Sequence, residues 1–290
     1  MKILIIFSFI FLFCGNLDED KDIIYDKAYP VALPHFDNYD PEYSPDAKMI
    51  AFHSERSTIT GSDIWVLDLE PDALYKMTDN DFNDIGPYWS PDGKYIYFHS
   101  DRNARFDIYR VPFPEKGETG IIVNNSNDRY PVISRTGDRI AFSSDRAGTY
   151  DIWTADTAGS NLVQITGFSA EENFPSWSND DRYLAFSCDK EGNKDIYIID
   201  LETFELEQIT TSKGMDVNPS WSPDGKNIVF VSNRTGITNL WLYSIEYQTE
   251  SQLTFYPIRD IAPSWHPGSA KILFISYRTG YDNIWEISIY

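Results

Sequence analysis

Acidic side chains recur along the chain at a fixed interval, and a ring of carboxylates could draw in a cation or a basic peptide. With one step of 46 residues and then four steps of 44, an acid or amide side chain recurs at Asn38, Asp84, Asp128, Glu172, Asp216 and Asp260. If the fold gathers these groups around one opening, unpaired carboxylates ~8 Å apart would repel by roughly 0.5–2 kcal/mol per pair. A ligand or partner of positive charge would then be needed to neutralise them.

A structural role is the alternative for the same carboxylates. Each repeat also carries a basic residue in a hairpin that we expect on the same face: Arg56, Arg102, Arg146, Lys190, Arg234 and Arg278. Pairing with these cations, or with the backbone of a neighbouring repeat, would leave the carboxylates unavailable to a ligand. This interpretation is favoured by the position of the two loops.

Side chains that do not repeat between the units are the better candidates for specificity. We expect partner recognition at a channel mouth formed by Asp84, Asp128, Arg129, Tyr130, Glu172, Phe174, Asp216, Arg259 and Asp260. Within this set, Arg129, Tyr130, Phe174 and Arg259 break the repeat, together with Tyr39, Asp40, Ile85 and Asn173. Alanine at the first three of these is expected to weaken partner binding.

The sequence gives little sign of catalytic or metal chemistry. His53 and His99 share one repeat position in adjacent units, but neither belongs to an H-x-x-H or His-Glu pattern. No nucleophile with a base partner and no phosphate loop stands outside the repeat. We therefore expect no catalytic residues, no metal and no cofactor.

The elements that position these side chains follow from the repeat itself. Recurring prolines mark six units, at Pro41, Pro87, Pro131, Pro175, Pro219 and Pro263. A period of about 40–45 residues is typical of a propeller blade, a four-stranded sheet that cannot bury its faces alone. The sequence thus predicts an all-β fold over residues 29–290, a six-bladed β-propeller of four-stranded antiparallel blades.

Four strands can be assigned within each repeat. Pro-x-Trp opens strand a, the turn S-P-D-G leads to an alternating strand b, D-I-W lies on strand c, and a short Q-I-T or Q-L-T segment forms strand d. The last repeat ends in strand c at Tyr290. Residues 29–33 align with strand d through Val31, so we expect the N-terminal strand to complete the last blade and leave no open edge.

The amino terminus has the pattern of a secretory signal. Residues 1–13 contain one lysine and a run of about eleven mostly apolar residues, too short to cross a bilayer. Cys14 follows this run and is a candidate for lipidation, although Phe13 stands where the bacterial lipoprotein pattern has a small residue. We expect an exported protein in which residues 1–13 are the signal and residues 14–28 form a polar tether.

The repeat P-x-W-S-P-D-G-K-x-I-x-F-x-S-x-R-x-G-x-x-D-I-W-x-x-D-L, followed by x-L-T, resembles that of TolB-type propellers. Similar repeats occur in the propeller parts of tricorn and prolyl oligopeptidases. We expect neither the N-terminal α/β domain of TolB nor a hydrolase domain, because the Gly-x-Ser-x-Gly nucleophile turn of the oligopeptidases is absent from the sequence. The resemblance implies an exported binding platform.

The net charge of the chain limits the classes of partner that it can bind. A formal net charge of −21 repels nucleic acid and anionic membranes. We therefore expect a monomeric, non-catalytic protein or lipoprotein of the periplasm or outer-membrane-attached cell envelope. It would bind a protein or peptide, for which basic character is compatible with this charge, on its loop face and touch a membrane only through Cys14. The alternatives are a polysaccharide lyase or hydrolase that uses the channel mouth, and a sensor of a small ligand, which the sequence does not separate from the protein-binding function.

Overall fold

The computed structural model describes residues 28–31, 36–56 and 61–289, and within them the chain forms six four-stranded antiparallel sheets. Strand a of the successive blades is β2 (Asn38–Tyr43), β6 (Asp84–Trp89), β10 (Asp128–Ile133), β14 (Glu172–Trp177), β18 (Asp216–Trp221) and β22 (Asp260–Trp265). Strand b is β3 (Met49–Ser54), β7 (Tyr95–Ser100), β11 (Arg139–Ser144), β15 (Tyr183–Cys188), β19 (Asn227–Ser232) and β23 (Lys271–Ser276).

Of the two outer strands of each sheet, strand c is as long as strands a and b, and strand d is shorter and more exposed. Strand c is β4 (Asp63–Asp68), β8 (Asp107–Pro112), β12 (Asp151–Asp156), β16 (Asp195–Asp200), β20 (Asn239–Ser244) and β24 (Asn283–Ser288). Strand d is β5 (Ala73–Lys76), β9 (Thr119–Ile122), β13 (Val163–Gln164), β17 (Leu206–Gln208) and β21 (Thr249–Gln252), with β1 (Ala28–Pro30) in the last blade. The predicted six-bladed propeller is confirmed.

The core lies between the blades and is built mainly from strand b. Both faces of this strand are covered by neighbouring blades, so its side chains are apolar almost without alternation. One phenylalanine per blade is completely buried, at Phe52, Phe98, Phe142, Phe186, Phe230 and Phe274. The tryptophans at the end of strand a pack at the same interfaces, and two of them donate across the blades: Trp177 Nε1 to Val132 O (3.2 Å) and Trp265 Nε1 to Ser220 O (2.9 Å).

The ring is closed by the N-terminal strand, as the sequence predicted. Strand β1 pairs antiparallel with β24, with Tyr29 opposite Glu286, and Val31 N donates to Ile284 O at 3.0 Å. Val31 also packs against the cluster shared by the first and last blades. The remaining residues predicted for this strand, 32 and 33, lie outside the described residues.

Strand a begins earlier than predicted. It starts three residues before the proline rather than at it, because a β-bulge lets the preceding residues pair with the end of strand b. In the third blade, Asp128 and Arg129 pair with Ser144 and Ser143, and the register shifts before Val132 pairs with Ala141. The recurring carboxylates are thus the first residues of strands, not residues of a loop.

The predicted signal (residues 1–13), Cys14 and most of the tether lie outside the described residues. The same holds for residues 57–60, between β3 and β4 of the first blade. Within the described ranges there is no helix long and apolar enough to span a membrane.

Candidate binding site in the central channel

The antiparallel order of the strands gives the propeller two distinct faces. The loop face carries the d–a loops, the b–c hairpins and the first residues of strand a. The turn face carries the a–b turns and the c–d turns. The central channel runs between these faces and is walled by the six strands a.

The recurring carboxylates are buried and bonded inside the propeller. The first residue of every strand a is 0 % exposed. In five blades an arginine from the b–c hairpin donates from Nη2 to this residue at 2.6–2.9 Å and from Nε to the serine that ends strand b at 2.8–3.2 Å. We call this the Arg–Asp–Ser motif. The prediction that Asp84, Asp128, Asp216 and Asp260 form an open ring of carboxylates is therefore wrong. The alternative is observed, in which each carboxylate pairs with the arginine of its own hairpin.

The fourth blade departs from the Arg–Asp–Ser motif at all three positions, with Lys190, Glu172 and Cys188. Lys190 places Nζ 4.8 Å from the centre of the Phe168 ring. Glu172 instead accepts from Thr166 Oγ1 (2.9 Å) and Cys188 Sγ (3.4 Å) and shares a hydrogen bond with Asp151 of the preceding blade. Cys188 is 1 % exposed, and this burial raises the pKa of its thiol to about 12.

Glu172 should make the stability of the propeller depend on pH. Burial, assisted by Asp151, raises the pKa of Glu172 to about 8 from an ordinary 4.5, so the folded state holds a proton that the unfolded chain releases. This stabilisation is complete below the ordinary pKa and is lost as the pH rises through the folded value. Relative to Glu172→Gln, which cannot titrate, we expect the wild-type chain to lose about 1–3 kcal/mol between pH 5.5 and pH 8. Urea unfolding followed by tryptophan fluorescence measures this, and parallel stability curves would contradict it.

The channel has a volume of about 310 Å³ and is lined in three layers. At the loop face lies the third residue of each strand a, in the bulge and with φ between 47° and 63°: Asp40, Gly86, Tyr130, Phe174, Asn218 and Ala262. The middle layer is the residue after each proline: Glu42, Tyr88, Val132, Ser176, Ser220 and Ser264. The layer at the turn face contains Pro45, Pro91, Arg135, Pro223 and Pro267.

His53 and His99 lie behind the wall of the channel. They are 8 % and 1 % exposed, and a Cβ at Gly86 would meet His99 Cε1 at 2.7 Å, so only glycine fits in this bulge. Burial lowers the pKa of His53 to about 3 and that of His99 well below its ordinary value. In the described part of the chain, no group of three His, Cys, Asp or Glu side chains is placed to hold a metal ion.

Asp40 is the acidic group in the layer at the loop face. Its Oδ2 lies 3.6 Å from His53 Nδ1, and burial raises the pKa of Asp40 to about 6. The side chain is nevertheless 41 % exposed, because the channel admits water while protein atoms surround the carboxyl group. Solvation of the carboxylate in the channel weakens the effect of burial on this pKa.

Two aromatic side chains, with an arginine beside them, lie across the channel from Asp40. The rings of Tyr130 and Phe174 lie 4.1 Å apart, and Tyr130 also contacts His99 with the ring centres 5.2 Å apart. Arg129 places its guanidinium 4.4 Å from the centre of the Phe106 ring and 5.4 Å from that of Tyr150. The structure thus brings Arg129, Tyr130 and Phe174 together at the mouth of the channel.

The other predicted site residues lie apart from this group. Arg259 is in a d–a loop, about half exposed, and pairs with Asp282. Sequence reasoning missed two residues of the channel, Glu42 and Arg135. The signal was present: each is the only charged side chain at its repeat position among the six units.

The comparisons with known proteins agree with this architecture. A family model described as TolB beta propeller domain matches residues 22–178 and 163–290. Among solved structures, a protein assigned as TolB from Agrobacterium tumefaciens shares 23 % identity with a TM-score of 0.68, covering 74 % of this chain and 77 % of that one. TolB from Acinetobacter baumannii shares 19 % identity with a TM-score of 0.65, covering 88 % of this chain and 63 % of that one.

An enzyme also shares the fold. An oligogalacturonate lyase in complex with manganese is 14 % identical with a TM-score of 0.66, covering 93 % of this chain and 96 % of that one. At these identities the structural likenesses show the fold alone. No curated protein sequence matches the chain significantly.

The fold and its lined channel define the class as a six-bladed propeller with a cavity on the axis. Because the family model covers almost the whole propeller, the chain belongs to the TolB beta propeller family.

Proposed function

We propose that the chain is a non-catalytic, exported protein that binds a protein or peptide on its loop face at the mouth of the channel. The observation that carries this proposal is the pair of rings of Tyr130 and Phe174 in the outermost layer of the channel, with Arg129 bonded to Tyr130 beside it. Arginine and aromatic side chains dominate the binding energy of protein interfaces. All three are half-buried, so their contact areas are ordered before a partner arrives.

The surrounding surface supports a protein partner of basic character. The d–a loops and b–c hairpins expose more than a third of seven large apolar side chains: Phe36, Phe82, Met215, Ile237, Phe255, Tyr277 and Tyr281. The net charge of −21 favours association with a positively charged partner. We further propose that the protein acts as a monomer in the periplasm or cell envelope, with Cys14 as the point of any lipid attachment.

Alanine substitution tests the proposed mouth. The variant Arg129→Ala/Tyr130→Ala/Phe174→Ala should bind an envelope protein, first identified by capture with the wild-type chain, at least about 100-fold more weakly, because hot-spot residues cost about 2 kcal/mol or more each. The matched control is Phe204→Ala/Tyr247→Ala, which removes two exposed rings from the turn face and should leave the affinity unchanged. Equal affinity of the two variants, measured by calorimetry on folded protein, would rule out this face.

A polysaccharide lyase or hydrolase is the second candidate, favoured by the coverage of the oligogalacturonate lyase structure. In this chain both histidines near the channel are at least nine-tenths buried, so a sugar at the mouth would not touch them. Incubation with oligogalacturonate, with and without manganese, distinguishes the two functions. Release of unsaturated uronates that depends on His53 or His99 would favour the enzyme.

A further inference from the structure

The part of the channel toward the turn face carries one acidic and one basic side chain, which do not belong to the site proposed at the loop face. Glu42 lies in the middle layer, where the other blades have Tyr88, Val132, Ser176, Ser220 and Ser264. Arg135 lies in the layer at the turn face, where four other blades have proline. The two side chains come from the first and third blades and face the same cavity of about 310 Å³, a size that suits a small molecule.

The turn that carries Arg135 is fixed from the neighbouring blade. Asp181 accepts from Arg135 N at 2.7 Å, from Thr136 N at 2.9 Å and from Thr136 Oγ1 at 2.8 Å. These bonds hold the backbone and leave the guanidinium at the channel opening. Within the described ranges, no carboxylate lies within 4.0 Å of this guanidinium, although fourteen other ion pairs there involve Lys, Arg or His. Arg135 is therefore available to a ligand anion.

Glu42 is held in place by the neighbouring sixth blade. Ser264 Oγ donates to Glu42 Oε2, and Glu42 lines the cavity. Burial raises the pKa of Glu42 to about 7, while Arg135 acts in the opposite direction. A ligand ammonium beside Glu42 would favour the ionised carboxylate further.

We propose that the channel binds a small zwitterion of the amino-acid or dipeptide class, with the ligand carboxylate on Arg135 and the ligand ammonium on Glu42. A simple anion would be repelled by the strongly negative field of the protein, and a simple cation would be repelled by Arg135. A zwitterion satisfies both side chains and carries no net charge. This site lies toward the turn face and does not depend on the partner proposed for the loop face.

Three probes of matched shape test the two contacts separately. Glycylglycine carries both charges, N-acetylglycine is the same skeleton without the ammonium group, and glycylglycinamide lacks the carboxylate. Titration of each is followed by calorimetry and by the fluorescence of the tryptophans that line the cavity: Trp89, Trp177, Trp221 and Trp265. We expect saturable binding of glycylglycine that is at least about tenfold tighter than binding of either analogue.

Two substitutions in the protein test the same two contacts. Glu42→Gln should weaken glycylglycine about tenfold without affecting N-acetylglycine, and Arg135→Met should weaken it similarly without affecting glycylglycinamide. Lys226→Met, in an a–b turn away from the channel, is the control and should bind as the wild-type chain does. The absence of saturable glycylglycine binding to the wild-type chain, or equal affinity in all three variants, would overturn the proposal. Melting temperatures of the variants confirm that each is folded.

Discussion

Replacing Arg146 by methionine should lower the free energy of unfolding by about 3–5 kcal/mol, because it leaves a buried charge without its partner. Arg146 Nη2 lies 2.8 Å from Asp128 Oδ1, and Asp128 is 0 % exposed. Methionine retains the apolar contact with the rings of Phe142 and Trp153 that the arginine now covers. The loss would therefore report the charge and its hydrogen bonds rather than a cavity.

The fourth blade provides the matched control for this substitution. Lys190 occupies the same repeat position but contacts the Phe168 ring instead of a carboxylate. Lys190→Met should therefore cost less than about 1 kcal/mol. Urea unfolding of both variants at pH 7 measures the difference. Equal losses would show that the Arg–Asp–Ser motif adds nothing beyond packing.

Removing the closing strand should also lower the stability of the propeller by a large amount. A chain that begins at residue 36 should be about 2–4 kcal/mol less stable than one that begins at residue 28. It loses the hydrogen bonds to β24, worth about 0.5–1.5 kcal/mol each, and the packing of Val31, worth up to about 1.5–3 kcal/mol. The comparison isolates residues 28–35, because both chains lack the residues before them.

Hydrogen exchange gives an independent measure of the same closure. The backbone amides of β24 should exchange faster in the shorter chain, because β24 becomes an edge strand. The amides of β12, in the third blade and three blades away from β24, serve as the internal reference. If both chains unfold at the same urea concentration, pairing of the strand Ala28–Pro30 with β24 contributes nothing to the free energy of unfolding.

The sequence predicted the fold well because the repeat encodes local patterns. Alternating strands, the turn residues and the recurring prolines occur in every unit, and their period specifies a blade. The place of Val31 also followed, since it keeps the spacing of strand d relative to the next proline. The predicted start of strand a was wrong by three residues, because the bulge that extends it depends on pairing with strand b.

The candidate site was predicted only in part. Arg129, Tyr130 and Phe174 were identified because they break the repeat, and the structure gathers them at one mouth. The carboxylates were misplaced, since their burial depends on hairpin arginines that fold back onto them. Nothing in local sequence shows that the third residue of strand a takes a positive φ in every blade.

The amino-acid sequence alone determined the number of blades, their strand order and the way the two ends of the chain meet. These features arise from short-range patterns repeated along the chain, and each repeat reports the same structure. Only the tertiary structure decided which charges are buried and which face the channel. Glu42 and Arg135 are 93 residues apart, and they share one cavity because the ring brings the first and third blades to a common axis.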